Sequence, residues 1–182
     1  FNYEKIAKHL NNKKAKIITT ISMFYDLEDP IKFAKDVYKS LDENGIWHLE
    51  QSYMPSMIKN FSYDTICHEH IEYYSLRSLK YILDQVNFKI IDLEFNDING
   101  GSFAITAAKK NSKFPENKKI VNWLLKKEHD FKYNEIQTFK NFYANCKKQK
   151  KLLIDLLRNL KDMKKKVYGY GASTKGNVIL QY

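Results

Sequence analysis

Residues 16–50, KIITTISMFYDLEDPIKFAKDVYKSLDENGIWHLE, predict a strand, a helix and a second strand in succession. The β-branched run at 16–21 is typical of a buried parallel strand. Asp29 and Pro30 suit the N-cap and the first position of the helix that follows. Residues 46–50 then predict the next strand. Because strands that alternate with helices form parallel sheets, this stretch predicts an α/β fold.

The segments on either side extend this alternation. Apolar residues recur at helical spacing from 3 to 10 and again from 75 to 86. Residues 88–95 and 102–108 predict two more strands, and the short connection between them favours antiparallel pairing. The sum is the second half of a doubly wound, Rossmann-like domain with a closing antiparallel strand pair. A glycine-rich first half is missing, so we expect the chain to begin inside a domain.

A helical pattern follows from residue 111 to 166, with no Gly or Pro between Glu116 and Val167. This composition favours long helices. The apolar residues at helical spacing are predicted to form its core: Trp123, Leu124, Leu125, Phe131, Phe139, Phe142, Tyr143, Leu152, Leu153, Leu156, Leu157 and Leu160.

The last residues open another α/β unit. Residues 167–177 predict a strand, a glycine-rich turn and a helix that begins near Asn177. We therefore predict three parts: a partial α/β domain at 1–110, a helical connector at 111–165, and the start of a second Rossmann-like domain at 166–182.

Bulk composition excludes several classes of protein. A chain of 182 residues with 43% hydrophobic residues is expected to be globular. The net charge of +10 suggests nucleic acid, but its lysines are interleaved with apolar residues at helical spacing, which favours a solvated helix face. Short apolar runs exclude a membrane span, and no secretory signal is present. Two cysteines make no disulfide framework, so we expect a soluble, reduced, cytoplasmic protein without a nucleic-acid or membrane partner.

The densest polar cluster is Cys67-His68-Glu69-His70, which follows the second strand. An open α/β sheet places its ligand crevice at this edge. A neutral imidazole there can remove a carbon-bound proton, and Glu69 is a candidate to fix its tautomer. Composition alone leaves a second interpretation equally open, namely a polar loop whose histidines bond to backbone.

Metal binding is a further alternative for this cluster, since His68 and His70 lie two residues apart beside Cys67. A zinc deaminase needs a later C-x-x-C, which does not occur here. The H-E-x-x-H spacing of metalloproteases is also missing. We therefore predict no metal site in this chain.

Two glycine-containing loops are candidates for substrate binding. In the first, paired glycines expose backbone N–H groups between two polar side chains, although a plain hairpin explains it as well: Asn99, Gly100, Gly101 and Ser102. The second has a G-x-G turn before a helix, which favours an anion site over a simple turn: Gly171, Ser173, Lys175 and Asn177. It is neither a dinucleotide fingerprint nor a Walker A sequence.

Five segments occur together in one order: ISMFYDLEDP (21–30), GIWHLEQSYMPSM (45–57), YDTICHEHIEYYSL (63–76), NDINGGSF (96–103) and GYGASTKGN (169–177). With them the chain resembles the bacterial NDP-hexose C-methyltransferase family. The resemblance covers nearly all of the sequence and is least clear over the helical region. It implies a methyltransferase that takes S-adenosylmethionine as cofactor and acts on a nucleotide-linked keto-deoxysugar. The zinc domain and the first glycine-rich cofactor loop of such enzymes are missing here, so we expect this chain to be inactive alone.

The resemblance also implies roles for residues. His70 would be the general base that removes the proton α to the keto group, with Glu69 beside it. The cofactor would be contacted by residues after the first strand: Ser22, Met23 and Phe24. The nucleotide sugar would be contacted by Cys67, His68, Asn99–Ser102 and the Gly171–Asn177 turn. Two departures are noted, since many members have Tyr at Cys67 and some have His at Asp26.

Two rivals to this interpretation remain at this point. One is methylation of oxygen or nitrogen in a small molecule. The other is a catalytically inert module that binds a nucleotide sugar or a nucleic acid, whose affinity would fall steeply with salt. The sequence leaves open the sugar, the carbon and the oligomeric state.

Overall fold

A computed structural model describes residues 1–171 and 173–182. Within those two ranges, no helix combines the length and the apolar character needed to cross a lipid bilayer. The helices and strands follow in the order α1 (Tyr3–His9), β1 (Ala15–Ile21), α2 (Pro30–Ser40), β2 (Leu41–Ser52), α3 (Met54–Asn60), α4 (Leu76–Gln85), β3 (Phe88–Asn96), β4 (Ser102–Lys109), α5 (Lys118–Asp130), α6 (Ile136–Asp162) and α7 (Thr174–Gln181). Short 3-10 turns lie at Phe24–Asp26, Tyr63–Thr65 and Ile98–Gly100.

The four strands form one mixed sheet in the order β1-β2-β4-β3. β1 and β2 run parallel, whereas β4 is antiparallel to both β2 and β3. The predicted α/β fold with a closing antiparallel pair is confirmed. β4, the last strand in the chain, lies between β2 and β3 and is therefore hydrogen-bonded on both sides.

Side-chain caps explain where two of the helices begin. The Asp29 carboxylate accepts the Lys32 backbone N–H at 2.9 Å, and Pro30 occupies the first turn of α2. Ser75 and Ser78 form a reciprocal capping box at the start of α4. Both helix starts agree with the sequence prediction.

The main core lies between the sheet and the helices α2 and α4. Trp47, Phe103 and Ile105 of the central strands are fully buried. The Trp47 ring packs 5.8 Å from the Phe24 ring, and its Nε1–H donates to the Thr20 hydroxyl at 2.8 Å. The one polar atom of this large side chain is therefore satisfied inside the core.

The burial predicted for β1 is wrong. Ile17 is 63% exposed and Ile21 is 50% exposed. β1 is the outermost strand of the sheet among the described residues, so it is hydrogen-bonded on one side only. Burial of a parallel strand requires neighbours on both sides and on both faces, and a β-branched sequence cannot report whether they exist.

Helix α5 packs onto this first core. Val121 and Leu124 belong to the main hydrophobic cluster. The Glu128 side chain is buried, and its carboxylate accepts the Tyr53 hydroxyl at 2.8 Å and the Leu76 backbone N–H at 2.6 Å. Since α5 is tied to the start of α4 in this way, it forms part of the first packing unit. The division of the chain at residue 110 stays a prediction.

Most of the core predicted for the helical region is wrong. Leu124 and Phe142 are buried, but the majority of the predicted core residues are more than one third exposed: Trp123, Phe131, Phe139, Tyr143, Leu152, Leu153, Leu156 and Leu157. Phe142 and Cys146 of α6 pack against Ile58 of α3 in a small second cluster. Beyond Cys146, the apolar stripe of α6 has no covering element among residues 1–171 and 173–182.

The strand predicted at 167–170 is also wrong, because these residues adopt no regular structure. A strand persists only when a second strand takes its hydrogen bonds, and the described part of the chain places none beside it. α7 begins at Thr174 rather than near Asn177, because Ser173 is the N-cap.

Candidate functional site

His70 lies in the loop that leads from α3 to α4, and its ring is partly buried. Its Nδ1 is 2.9 Å from the Thr65 carbonyl oxygen. A carbonyl only accepts hydrogen bonds, so Nδ1 must carry the proton. In the neutral ring Nε2 then holds the free lone pair. This is the arrangement that a general base needs, and the tautomer is set by backbone.

The Tyr25 ring packs against this imidazole. The two ring centroids are 4.3 Å apart, with a tilt of 51°. The Tyr25 carbonyl accepts the backbone N–H groups of Ile71 and Glu72 at 3.1 and 3.0 Å. Sequence reasoning missed Tyr25. The available signal was its position directly after β1, at the same edge of the sheet as the histidine loop.

Asp26 stands next to Tyr25 in the same 3-10 turn. Burial raises the pKa of its carboxyl, while the positive charge of His70 acts in the opposite direction and Glu69 adds a smaller upward effect. Burial likewise raises the pKa of the Tyr25 phenol, against a hydrogen bond from Ser22 that lowers it. The carboxylate of Asp26 therefore lies within electrostatic reach of the imidazole.

Glu69 and His68 project outward from the loop. The His68 Nε2 and a Glu69 carboxylate oxygen are 3.9 Å apart, and both side chains are more than half exposed. The expectation that Glu69 fixes the tautomer of His70 is corrected, because the Thr65 carbonyl occupies Nδ1. Cys67 is a free, partly buried thiol.

The residues assigned to the cofactor divide into two groups. Ser22 and Met23 are partly exposed at the carboxyl end of β1, and the Ser22 N–H donates to the Glu50 carbonyl at 2.8 Å. Phe24 is fully buried against Phe33 and Trp47. A contact between Phe24 and the cofactor is therefore ruled out in this conformation, and its role is to fill the core.

The hairpin loop before β4 is shaped by its glycines. Gly101 has φ +118°, and a Cβ there would lie 2.7 Å from the Ser56 Cβ, so no other residue fits without movement. Asn99 and Gly100 are exposed. Ser102 is 1% exposed and donates its hydroxyl to the Ile98 carbonyl at 2.9 Å. The expected contact between Ser102 and substrate is thus wrong, because the side chain is buried and already bonded.

The second glycine-rich loop approaches the first. The Lys175 Nζ lies 3.4 Å from both the carbonyl and the side-chain oxygen of Asn99. The Ser173 hydroxyl accepts the Gly176 N–H at 3.3 Å and caps α7. Gly171 is exposed with φ +149°, whereas Ala172 lies outside the described residues. Two loops that are 76 residues apart in sequence are therefore neighbours.

A cavity of about 380 Å³ opens between the histidine loop and α7. It is lined by apolar and polar side chains from both: Ile66, Cys67, His68, Thr174, Asn177, Val178, Gln181 and Tyr182. Tyr182 packs 5.0 Å from Tyr63, which holds α7 against the loop. Three of the predicted substrate residues, Cys67, His68 and Asn177, thus share one cavity. Among residues 1–171 and 173–182, no group of three His, Cys, Asp or Glu side chains is placed to hold a metal ion.

Two family models of methyltransferases together match nearly the whole chain. Residues 2–93 match the family model of a methyltransferase domain, and residues 97–182 match that of a C-methyltransferase C-terminal domain. The chain is 28% identical over 166 residues to the C-methyltransferase NovU of Streptomyces niveus. This alignment covers 91% of the chain and 39% of that relative, so the chain spans well under half of its length.

Solved structures with a similar backbone include a methyltransferase and a second protein in complex with SAM. An SAM-dependent methyltransferase of Methanosarcina mazei superposes with a TM-score of 0.43 at 13% identity, over 53% of this chain and 59% of that chain. The complex of M1.HpyAVI with SAM superposes with a TM-score of 0.38 at 18% identity, over 65% and 57% of the two chains.

Proposed function

Because this chain belongs to the methyltransferase domain family, we propose that it supplies part of the active site of an S-adenosylmethionine-dependent C-methyltransferase. The observation that carries the proposal is the hydrogen bond from the His70 Nδ1–H to the Thr65 carbonyl. This bond leaves Nε2 free to take a proton. The match of residues 97–182 to a C-methyltransferase C-terminal domain supports carbon as the acceptor.

The reaction begins with removal of a proton from a carbon next to a keto group. His70 accepts this proton at Nε2, and the electron pair passes into an enolate. S-adenosylmethionine, when bound, supplies the sulfonium methyl group that the enolate carbon attacks. Ser22 and Met23 suit a contact with this cofactor, since they are partly exposed at the carboxyl end of β1, two or three residues before the Tyr25 that touches His70. Glu69 stays a candidate for the same site.

We propose a nucleotide-linked keto-deoxysugar as the substrate. Its support is the relation to NovU together with a cavity between the histidine loop and α7 that offers Cys67, His68 and Asn177. Lys175 would bring a positive charge to the diphosphate, beside the side chain of Asn99. The proposal retains three parts in the chain, at 1–110, 111–165 and 166–182, with α5 packed on the first.

The test is incorporation of solvent deuterium at the carbon α to the keto group of a nucleotide-linked keto-deoxysugar. The chain is expressed together with its flanking coding sequence, as wild type, His70→Gln and His9→Gln. General-base catalysis contributes about 10²–10⁴-fold, so His70→Gln should lower the exchange rate by at least about a hundredfold. His9→Gln, on an exposed position of α1, should leave it unchanged.

Two outcomes would contradict the proposal. Undiminished exchange in His70→Gln would refute the assignment of the base. Methyl transfer to an oxygen or nitrogen of the sugar, located by NMR of the product, would exclude carbon as the acceptor.

A further inference from the structure

The loop that carries His70 is open to solvent on both sides of this residue. His68, Glu69 and Glu72 are exposed, as are Ile66 and Ile71. An exposed loop without anchors samples many conformations, and a base in such a loop would spend little time in a reactive position. Whatever holds the imidazole must therefore come from a more rigid neighbour.

Tyr25 provides that neighbour by two separate contacts. Its residue is 7% exposed and its ring packs against His70 at a centroid distance of 4.3 Å. Its carbonyl takes two consecutive N–H groups, those of Ile71 and Glu72, directly after the histidine. The next residue in the chain before it, Phe24, is locked in the core.

We propose that Tyr25 is a positioning residue for His70. The Tyr25 ring and the Thr65 carbonyl together form a clamp that holds the imidazole, with Nε2 directed away from it. The chemical consequence rests on the proposed function, whereas the positioning itself does not. The tilted phenol ring restricts rotation of the imidazole about its χ angles, and the Thr65 carbonyl selects the tautomer.

The Asp26 carboxylate also lies near this imidazole, in the same 3-10 turn as Tyr25. The other titratable groups around the site are Glu69 and Cys67 on the loop itself and Tyr73, whose hydroxyl lies 3.5 Å from the same Thr65 carbonyl. The Tyr25 ring contacts the imidazole directly, at a centroid distance of 4.3 Å.

The experiment uses this chain alone and needs no substrate. Long-range ¹H–¹⁵N correlation spectra report which ring nitrogen of His70 carries the proton, and the ring-proton shifts report the stacked aromatic ring. In the wild-type chain we expect the Nδ1–H tautomer and ring protons shifted upfield. A wild-type spectrum with the Nε2–H tautomer would overturn the proposal before any substitution is made.

Three variants then separate positioning from folding. Tyr25→Leu should shift the tautomer ratio about 2- to 12-fold toward Nε2–H, the range expected for loss of an aromatic pair. Tyr25→Phe keeps the ring and the backbone carbonyl, so it should behave as wild type. Tyr81→Leu, at an exposed tyrosine of α4, is the matched control.

An unchanged ratio in Tyr25→Leu would also overturn the proposal, and it would do so whether or not His70 is a base. Conversely, loss of the base assignment in the deuterium-exchange test would leave the clamp in place as a purely structural contact. If Tyr25→Leu does not fold, the wild-type spectrum still tests the proposal, because an Nε2–H tautomer or His70 ring protons without an upfield shift would overturn it.

Discussion

Helices α4 and α6 have leucines at the same spacing, but those of α4 are buried and those of α6 are exposed. Leu79 and Leu83 of α4 are 0% and 1% exposed, whereas Leu152 and Leu156 of α6 are 59% and 54% exposed. Each pair is four residues apart and therefore lies on one face of its helix. Periodicity in the sequence therefore shows that one face of a helix is apolar. Only the fold shows whether another element covers that face.

The difference follows from where each helix starts. α4 is capped by Ser75 and Ser78 and bonded to Glu128, so its apolar face is directed onto the sheet. α6 packs against α3 through Phe142 and Cys146 in the first half of its 27 residues, whereas Leu152 and Leu156 in the second half are exposed.

The sharpest test of this contrast is the same substitution in both helices. Leu79→Ala should lower the free energy of unfolding by about 2–5 kcal/mol, because it removes buried methyl groups and leaves a cavity. Leu156→Ala should change it by no more than about 0.5 kcal/mol. Urea denaturation of both variants measures the difference. Equal losses would mean that the α6 face is covered in solution.

The second largest effect concerns the link between α5 and the first core. Glu128→Gln keeps the shape but removes the charge that three donors share, so we expect a loss of about 1–3 kcal/mol. Glu94→Gln, on an exposed position of β3, is the matched control and should be neutral. A neutral Glu128→Gln would show that α5 is not an integral part of the first packing unit.

Alkaline pH should lower the free energy of unfolding, because the main core contains Tyr53 and Tyr74. Burial, foremost, raises the pKa of both the Tyr53 and the Tyr74 phenols far above their ordinary value. A raised pKa means that their contribution is complete below the unfolded value of about 10 and is lost as pH rises beyond it. Each buried phenol should then cost about 1.4 kcal/mol of stability per pH unit above 10. Denaturation curves between pH 8 and 11 measure the fall, and Tyr53→Phe should make it shallower.

The smallest effects come from the same two tyrosines at neutral pH. Tyr53→Phe loses the bond to Glu128 and should cost about 1 kcal/mol. The Tyr74 hydroxyl has no hydrogen-bond partner among the residues that the structure describes, so Tyr74→Phe should be neutral or stabilising. A loss at position 74 as large as that at position 53 would reveal a bound water at the Tyr74 hydroxyl.

Local signals predicted the elements well where the cause is local. Asp29 and Ser75 mark helix starts through hydrogen bonds to residues three positions away, so the sequence contains both partners. The candidate site was harder to predict from the sequence. His70 has a chemically distinctive side chain, but the Thr65 carbonyl that sets its tautomer belongs to the backbone and leaves no trace in the residue type.

The sequence by itself determined the α/β class, the antiparallel closing pair, the loop that holds His70 and the order of the elements up to β4 except α3, because each depends on spacing or on neighbours in the chain. Only the tertiary structure decided that β1 is the outermost strand among the described residues, that Ser102 and Phe24 are buried, and that Tyr25 packs on His70. These outcomes depend on contacts between residues far apart in the chain. A contact of that kind has no local pattern, since it is set by how the packed elements bring distant segments together.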